Sequence, residues 1–202
     1  MAAIRAPEPP PSPESLTPAQ QQRRARILQA GADLLAGREY DHIQMRDVAE
    51  RADVALGTLY RYFASKEHVF SAVAVQWAES LRYQIGRHPL QGGTNAERLY
   101  DVFQRAVRAF QLRPQFYRVI MMMQASADPF AREYNERLSQ GTLETFAGAL
   151  QGLPDDIALG IVSVSEAVLD TNLRAWVTGR TPIGAVYDAL EAAAHLLLEF
   201  HE

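Results

Sequence analysis

The sequence predicts an all-α protein of nine helices, with a small amino-terminal domain followed by a larger carboxy-terminal one. Three observations support this fold class. Apolar residues recur at helical spacing through most of the chain, helix-capping residues precede these stretches, and no segment alternates convincingly as a strand. The 202 residues, 48% of them hydrophobic and none of them Cys, are enough to bury a core without disulfides.

The amino-terminal residues predict a disordered arm that ends where the first helix begins. Residues 1–16 contain five Pro and almost no apolar side chains, so they can bury too little apolar surface to offset the entropy lost on ordering. Thr17 then offers a capping hydroxyl, Pro18 suits the first helical position, and Gln20 completes a capping box. We therefore place a first domain at residues 17–64 and a second at residues 65–202.

Residues 44–69 predict a helix-turn-helix, around which the rest of the chain is organised. Val48 belongs to a short first helix, Asp53 can adopt the left-handed conformation that a turn needs, and Gly57 opens a second helix. Hydroxyls and guanidinium groups on the outer side suit phosphates and base edges better than a core. The predicted DNA contacts are Arg46, Leu56, Thr58, Tyr60, Arg61, Tyr62 and Lys66. Leu56 and Arg61 are assigned to base edges and Arg46 to an assisting contact, while the other four are assigned to phosphates.

Capping residues divide the second domain into six helices. Ser65 caps the fourth helix, the box from Thr94 to Glu97 starts the fifth, and Asp128 followed by Pro starts the seventh. The sixth is expected over residues 114–127 and the seventh up to residue 150. The eighth is expected over residues 155–179, and a Thr181 cap starts a ninth that reaches residue 200.

The last two helices carry apolar residues on more than one side, so each needs more than one neighbour. Little chain remains to cover them, and we therefore expect a second copy to do so in a homodimer. The predicted interface residues are Ile161, Val164, Val168, Val186, Leu190 and Leu197.

The middle of the second domain is rich in large, adaptable apolar side chains. Each of them alone is more often core, but together with Met residues they suit a cavity that changes shape. The predicted pocket residues are Trp77, Phe103, Phe110, Phe116, Tyr117, Met122, Tyr134, Phe146, Asn172 and Trp176. Polar groups that could orient a ligand there are Gln104, Arg105, Arg108, Gln124 and Asn135. A hydrophobic effector is expected, and its identity stays open.

Composition argues against other classes of protein. No Cys, no His spacing typical of metal sites and no Gly-rich phosphate loop is present, so neither a metal nor a cofactor is expected and an enzyme is the weaker alternative. The absence of a leader-like start and of a long apolar run indicates a cytoplasmic protein without a membrane partner. The net charge of -4 does not exclude DNA, since residues 18–68 carry eight basic and seven acidic side chains.

The helix-turn-helix residues resemble a known family at several positions. Arg46, Val48 and Ala49, then Gly57 to Tyr60, Phe63, and Ser65 to Glu67 are similar to the DNA-binding domain of the TetR family of bacterial transcription regulators. Asp53 stands where the family usually has Gly, and Ala55 stands where Ser usually caps the recognition helix. The resemblance implies a homodimeric repressor, a palindromic double-stranded DNA operator and a small effector bound within the second domain.

Two further segments narrow the resemblance. Residues 170–177, together with Gln44 to Arg46, are similar to actinobacterial TetR-type repressors of sterol catabolism, which implies a coenzyme A thioester as effector. Arg105 and Arg108 are the candidates to bind such a carrier at the mouth of the pocket. Two alternatives stay open: an activator of the same fold, and a helical ligand-binding protein or enzyme that does not bind DNA.

Overall fold

The computed structural model describes residues 10–199, and within them the chain is entirely helical. Its nine α-helices confirm the predicted fold class. They are α1 Pro18–Gly37, α2 Met45–Arg51, α3 Leu56–Tyr62, α4 Lys66–Arg87, α5 Asn95–Leu112, α6 Pro114–Ala125, α7 Pro129–Ala147, α8 Asp155–Val177 and α9 Ile183–Leu198.

Predicted capping residues stand at four of the nine described helix starts, those of α1, α4, α5 and α7. The Ser65 hydroxyl accepts a hydrogen bond from the backbone N–H of His68 and so caps α4. Thr94 and Glu97 form the expected reciprocal box at α5. Asp128 accepts from two backbone N–H groups at the start of α7. These side chains satisfy donors that a helix amino terminus would otherwise leave unpaired.

The helix ends differ from the prediction by a few residues. α6, α7 and α8 end at Ala125, Ala147 and Val177, each earlier than expected. After α8 the backbone reverses at Gly179, whose φ of 75° lies in the left-handed region that glycine adopts at low cost. Fraying and tight final turns make such ends difficult to locate from periodicity alone.

The last helix and the amino-terminal arm both differ from the prediction. α9 begins one residue later than expected, with Pro182 rather than Thr181 at the N-cap, so no side-chain hydroxyl caps it. Residue 200, the predicted end of this helix, lies outside the described residues. Residues 1–9 of the predicted arm also lie outside them, whereas Pro13–Ser15 form a 3-10 turn and Leu16 is buried in the core. The last part of the arm is therefore structured.

α4 is the central helix of the molecule. It packs against α1 on one side and against α5, α6 and α7 along the rest of its length. α2 packs against both α1 and α3, and the core of this region includes fully buried Ile27, Leu59 and Phe63. α9 lies against α5 and α8. One continuous helix thus extends from the helix-turn-helix into the larger helical bundle.

Candidate DNA-binding surface and ligand cavity

The turn between α2 and α3 has the geometry that the sequence predicts. Asp53 has a φ of 52°, and the N–H of Val54 donates to the carbonyl of Ala49 at 3.0 Å. Asp is one of the few side chains that tolerate this conformation. Ala55 is the N-cap of α3 and offers no side-chain hydrogen bond, as expected where a capping Ser is missing.

Most of the predicted DNA contacts lie on the outer side of α2 and α3. Arg46 and Arg61 are exposed, and Leu56 and Tyr60 keep 43% and 48% of their surface accessible. Thr58 is partly exposed near the start of α3. Exposed apolar and aromatic side chains are costly in water unless a partner covers them. The surface therefore has the mixture of guanidinium, hydroxyl and apolar groups that base edges and phosphates require.

Tyr62 is a correction to the predicted contact set. Only 4% of its surface is exposed, and its buried hydroxyl has no hydrogen-bond partner among the described residues. The reason is helical spacing, because Tyr62 follows fully buried Leu59 by three residues and so lies on the same inner side of α3. Its ring contributes to the core and does not reach the outer surface.

Lys66, the one Lys of the chain, lies at the rim of this surface. Its Nζ atom lies 4.0 Å from the centroid of the Tyr40 ring, a cation–π contact that fixes its position. Partial burial lowers the pKa of Lys66, and the nearby carboxylates Asp41 and Glu67 oppose that shift. A phosphate placed here would restore the electrostatic environment that burial removes.

A cavity of about 340 Å³ lies between α4, α5, α6, α7 and α8. This volume is at the lower end of the range for small-molecule sites. Four of the ten predicted pocket residues line it, namely Trp77, Phe110, Tyr117 and Phe146. Half of the remaining lining residues are aliphatic and half are polar or charged, and the larger aliphatic ones are Leu81, Ile85, Ile120, Leu138, Leu169 and Leu173.

The structure places the other six predicted pocket residues elsewhere. Phe103 packs against Phe146 with ring centroids 5.1 Å apart, and Phe116 packs behind Trp77 at 4.8 Å, so both form core around the cavity. The Asn172 amide donates to the carbonyl of Val168 on its own helix. Also outside the lining are Met122, Tyr134 and Trp176. Size and apolarity alone could not separate the lining from its support.

One wall of the cavity carries a hydrogen-bonded network around Asp170. The Tyr117 hydroxyl donates to this carboxylate at 2.7 Å, Gln124 donates at 3.1 Å, and Arg174 pairs with it at 3.1 Å. Burial by itself raises the pKa of Asp170, but these three donors outweigh it and leave the pKa lowered. Asp170 is therefore a charged group whose acceptors are already in use.

Sequence reasoning missed three charged residues that line the cavity, Asp170 and two others. Arg82 lines it from α4 and Glu166 from α8. Burial raises the pKa of Glu166, and a hydrogen bond donated by Ser139 only partly offsets this. Both residues resemble ordinary solvated charges in the sequence, because each stands among polar neighbours on its helix. Glu166 lies three residues before the apolar Leu169 on the same helix face, so its helical register could have indicated it. Arg82 lies five residues after Trp77 and has no such signal.

Arg105 is a second correction, since it is not available to bind a ligand carrier. It pairs with Asp101 at 2.6 Å and donates to the carbonyls of Ile85, His88 and Pro89. These bonds tie the end of α4 to α5. Arg108 is exposed, and neither Arg lines the cavity.

The start of α7 is joined to the helix-turn-helix by a group of polar and aromatic contacts, which we call the junction. Here the Ser65 hydroxyl donates to Asp128 at 2.7 Å, while the His68 ring stacks on Phe130 with centroids 4.1 Å apart. Burial lowers the pKa of His68 to about 4, although Asp128 opposes the shift, so the imidazole is neutral at pH 7. A further contact comes from α1, where Arg24 donates to the Tyr134 hydroxyl at 2.9 Å.

The predicted dimer residues divide into an inner and an outer group. Ile161, Val186 and Leu190 are almost entirely buried within the chain, because they face α5 and the α8–α9 contact, and this corrects their assignment to a surface. Val168 and Leu197 are partly buried. Val164 keeps 48% of its surface exposed and is therefore free to meet another chain.

Residues 10–199 contain neither a membrane-spanning helix nor a cluster of metal-binding side chains. No helix there is both long and apolar enough to cross a membrane. No group of His, Asp or Glu side chains in that part of the chain is arranged to hold a metal ion.

Comparisons with known proteins agree with this geometry. Residues 27–73 match the model of the family described as bacterial regulatory proteins, tetR family. The HTH-type transcriptional repressor KstR of Mycolicibacterium smegmatis is 35% identical over 185 residues, which is 91% of each chain. KstR of Rhodococcus jostii is also 35% identical, over 89% of this chain and 84% of its own.

Solved structures show the same architecture. A TetR transcriptional regulator from Rhodococcus sp. RHA1 superposes with a TM-score of 0.78 at 26% identity, over 91% of this chain and all of its own. Thermus thermophilus FadR, a repressor solved in complex with lauroyl-CoA, has a TM-score of 0.72 at 23% identity, over 89% of this chain and 95% of its own. At that identity the second likeness concerns the fold alone.

Proposed function

The chain belongs to the TetR family of bacterial regulatory proteins, and we propose that a hydrophobic or acyl-CoA-type effector releases it, as a homodimer, from a palindromic operator. As a member of this family it is a DNA-binding transcriptional repressor that responds to a ligand. The relatives are transcriptional repressors, so the protein is a regulator and not an enzyme.

The observation that carries this proposal is the continuity between α3 and the cavity. Only Phe63, Ala64 and Ser65 separate the recognition helix from α4, and α4 supplies Trp77, Leu81 and Arg82 to the cavity lining. A ligand that wedges against this end of α4 can therefore tilt its other end, which carries the DNA-binding surface.

α7 provides a second mechanical connection. Its first turn meets Ser65 and His68 at the junction, and its later turns line the cavity with Leu138, Ser139 and Phe146. A ligand thus contacts both helices that hold the recognition helix in place. It can shift their equilibrium only through its different affinity for the two arrangements, which typically changes operator affinity by about 5- to 150-fold.

The lining favours an effector with an apolar body. Aromatic and aliphatic side chains make up most of the cavity wall, and the polar groups cluster on the side of α7 and α8. Relatives named as KstR repressors and a structural neighbour that binds lauroyl-CoA support an acyl thioester or its sterol counterpart. With about 340 Å³ available, the cavity would take the acyl part while the carrier stays outside.

Two copies of the recognition helix are needed to read a palindrome. We propose that the exposed side of α8 around Val164, with Leu159 at 53% exposure, meets its symmetry mate. Such a dimer would set the recognition helices about 34–36 Å apart, one turn of DNA.

Selection of genomic fragments by the purified protein tests this function. Recovery of one short palindrome, followed by its release with a panel of sterols, fatty acids and their coenzyme A thioesters, is the expected result. The control is a protein that carries both Arg61→Ala and Lys66→Ala, which should recover no enriched sequence. Enrichment of the same fragments by parent and control, or of none by either, would contradict the proposed DNA-binding residues.

A further inference from the structure

The cavity wall contains a guanidinium group that forms no ion pair with the described residues. Arg82 is the one basic residue among the described residues that line the cavity, and it makes no ion pair there. Its Nη1 atom is buried without a hydrogen-bond partner. Arg82 as a whole is partly exposed, but a buried guanidinium N–H without an acceptor lowers the stability of the protein unless a ligand completes it.

The position of Arg82 depends on a glycine of α7. A Cβ atom at Gly141 would lie 2.4 Å from the Cζ atom of Arg82 and 2.7 Å from its Nη2 atom. The guanidinium therefore packs against the α7 backbone, and a side chain at position 141 would force this flexible group to move. The guanidinium thus lies at the cavity wall, although its Nη1 atom forms no hydrogen bond with the described chain.

The acidic groups of the cavity are committed to other partners. Asp170 is bound by Tyr117, Gln124 and Arg174, and Glu166 accepts from Ser139. Two carboxyl groups in the same wall also disfavour a ligand head with several negative charges, such as a phosphate. A head group of low charge whose oxygens accept hydrogen bonds, attached to an apolar body, fits both conditions.

We propose that Arg82, seated on Gly141, binds the acyl oxygen of the effector, whether that oxygen belongs to a free carboxylate or to a thioester carbonyl. This assignment rests on the proposed function, since it names the chemistry that the effector-binding cavity recognises. The guanidinium offers paired donors in a fixed plane, which suits a carboxylate best and a carbonyl next. Hydrocarbon surface on Trp77, Leu81 and Phe110 then holds the chain of the acyl group.

Three dodecyl probes distinguish the sources of that oxygen. Dodecanoic acid has a carboxylate, dodecanoyl-CoA has a thioester carbonyl, and S-dodecyl-CoA has the same carrier and chain with no acyl oxygen. Binding is followed by the shift in melting temperature and by release of the selected operator in fluorescence anisotropy. The parent protein is expected to respond to the first or second probe at concentrations at least about tenfold lower than to the third, as hydrogen bonds to a charged group allow.

Variants assign the effect to Arg82. In Arg82→Met the acyl probes should lose about tenfold or more in potency and become equal to S-dodecyl-CoA. Arg87→Met is the matched control, because Arg87 is exposed near the end of the same helix. Gly141→Ala should displace the guanidinium and lose part of the same response. Gly86→Ala is its control, since a Cβ at Gly86 meets nothing within 4 Å.

Release is expressed relative to the operator affinity of each variant without ligand. The melting temperature of ligand-free Arg82→Met should equal or exceed that of the parent, because the substitution removes an unpaired charge. A fall below the Arg87→Met control would mean that Arg82 is structural and would overturn the proposal. An equal response of parent and Arg82→Met to the acyl probes would overturn it as well and leave the effector hypothesis intact. A parent protein indifferent to all three probes would overturn the assignment of Arg82 to an acyl oxygen, while operator recognition would stand.

Discussion

At the scale of single residues, substitutions of Arg61 and Lys66 should change DNA binding in different ways. Arg61 is exposed on α3, where we expect it to reach base edges, whereas Lys66 lies at the rim, where we expect it to bind a phosphate. Lys66→Ala should weaken binding to every sequence and reduce the slope of log affinity against log salt by about 1. Arg61→Ala should in addition relax base preference, at a cost of about 1–3 kcal/mol for the base pair that it contacts.

Anisotropy titrations with the operator and a scrambled duplex, over a range of salt concentrations, measure both effects. If the two variants bind the operator as tightly as the parent at every salt concentration, the assigned contacts are wrong.

Tyr62 gives a second prediction at this scale. Its hydroxyl is buried without a partner, so Tyr62→Phe removes an unsatisfied polar group and should leave the melting temperature equal or higher. Operator affinity should not change. Tyr60→Phe is the comparison, because its hydroxyl is on the exposed side of the same helix and is expected to bind phosphate. Loss of operator binding in Tyr62→Phe, with Tyr60→Phe unaffected, would reverse the two roles.

Several of these residues could be predicted from the sequence, and the reason is chemical. Arg61 and Lys66 carry groups with an obvious use on a DNA surface, and Asp53 has a side chain suited to its left-handed turn. Tyr62 could not be placed by its hydroxyl, because its spacing from Leu59 decides which way it faces. Arg82 was missed because a charged side chain at a helix surface has the same pattern whether it meets water or a cavity.

At the scale of helices, Asp128 tests whether α7 takes part in the switch. Asp128→Ala removes the N-cap of α7 and its bond to Ser65, so the free energy of unfolding should fall by about 0.5–2 kcal/mol. The ligand-induced change in operator affinity should shrink as well, because the junction no longer joins α7 to the recognition helix. Chemical denaturation and operator release measure the two quantities.

Thr94→Ala is the matched control for Asp128→Ala. Thr94 caps α5 in the same manner but lies away from the junction, so its loss should lower stability and leave the ligand response unchanged. Equal ligand responses in both variants would restrict the transmission of the signal to α4.

Helix starts could be predicted here because caps are local. Thr17, Thr94 and Asp128 stand directly before the helices that they were expected to start. Thr181 is not the cap because α9 begins at Ile183, and the residue at the N-cap is therefore Pro182 in an extended conformation. The link through α7 could not be foreseen, since Ser65 and Asp128 are 63 residues apart and only the packing of α4 on α7 brings them together.

At the scale of the whole molecule, the exposed side of α8 predicts the assembly. Val164→Asp places a charge on a surface that is accessible in the single chain, so the fold should persist while association weakens. Leu112→Asp is the control, because Leu112 is 78% exposed at the end of α5. Light scattering at micromolar concentration should give a dimer for the parent and the control, and a larger monomer fraction for Val164→Asp. A monomeric parent would contradict both the dimer and the palindrome.

The sequence predicts which helices need a partner, but it does not predict the side that each would present. Ile161, Val186 and Leu190 satisfy the same apolar periodicity as Val164, and packing against α5 and between α8 and α9 buries them first. Two-sided apolarity therefore predicts that an interface exists, while the assignment of sides depends on which neighbour within the chain is nearer.

Stoichiometric titration of the selected operator, with and without dodecanoyl-CoA, measures whether filling the cavity changes the affinity of the recognition helices for DNA. We predict that two chains bind each palindrome. Filling the cavity should lower the affinity for the operator by about 5- to 150-fold, and removing the ligand should restore it. Tight operator binding that no acyl or sterol compound alters, although the compound raises the melting temperature of the protein, would contradict the coupling between cavity and recognition helix.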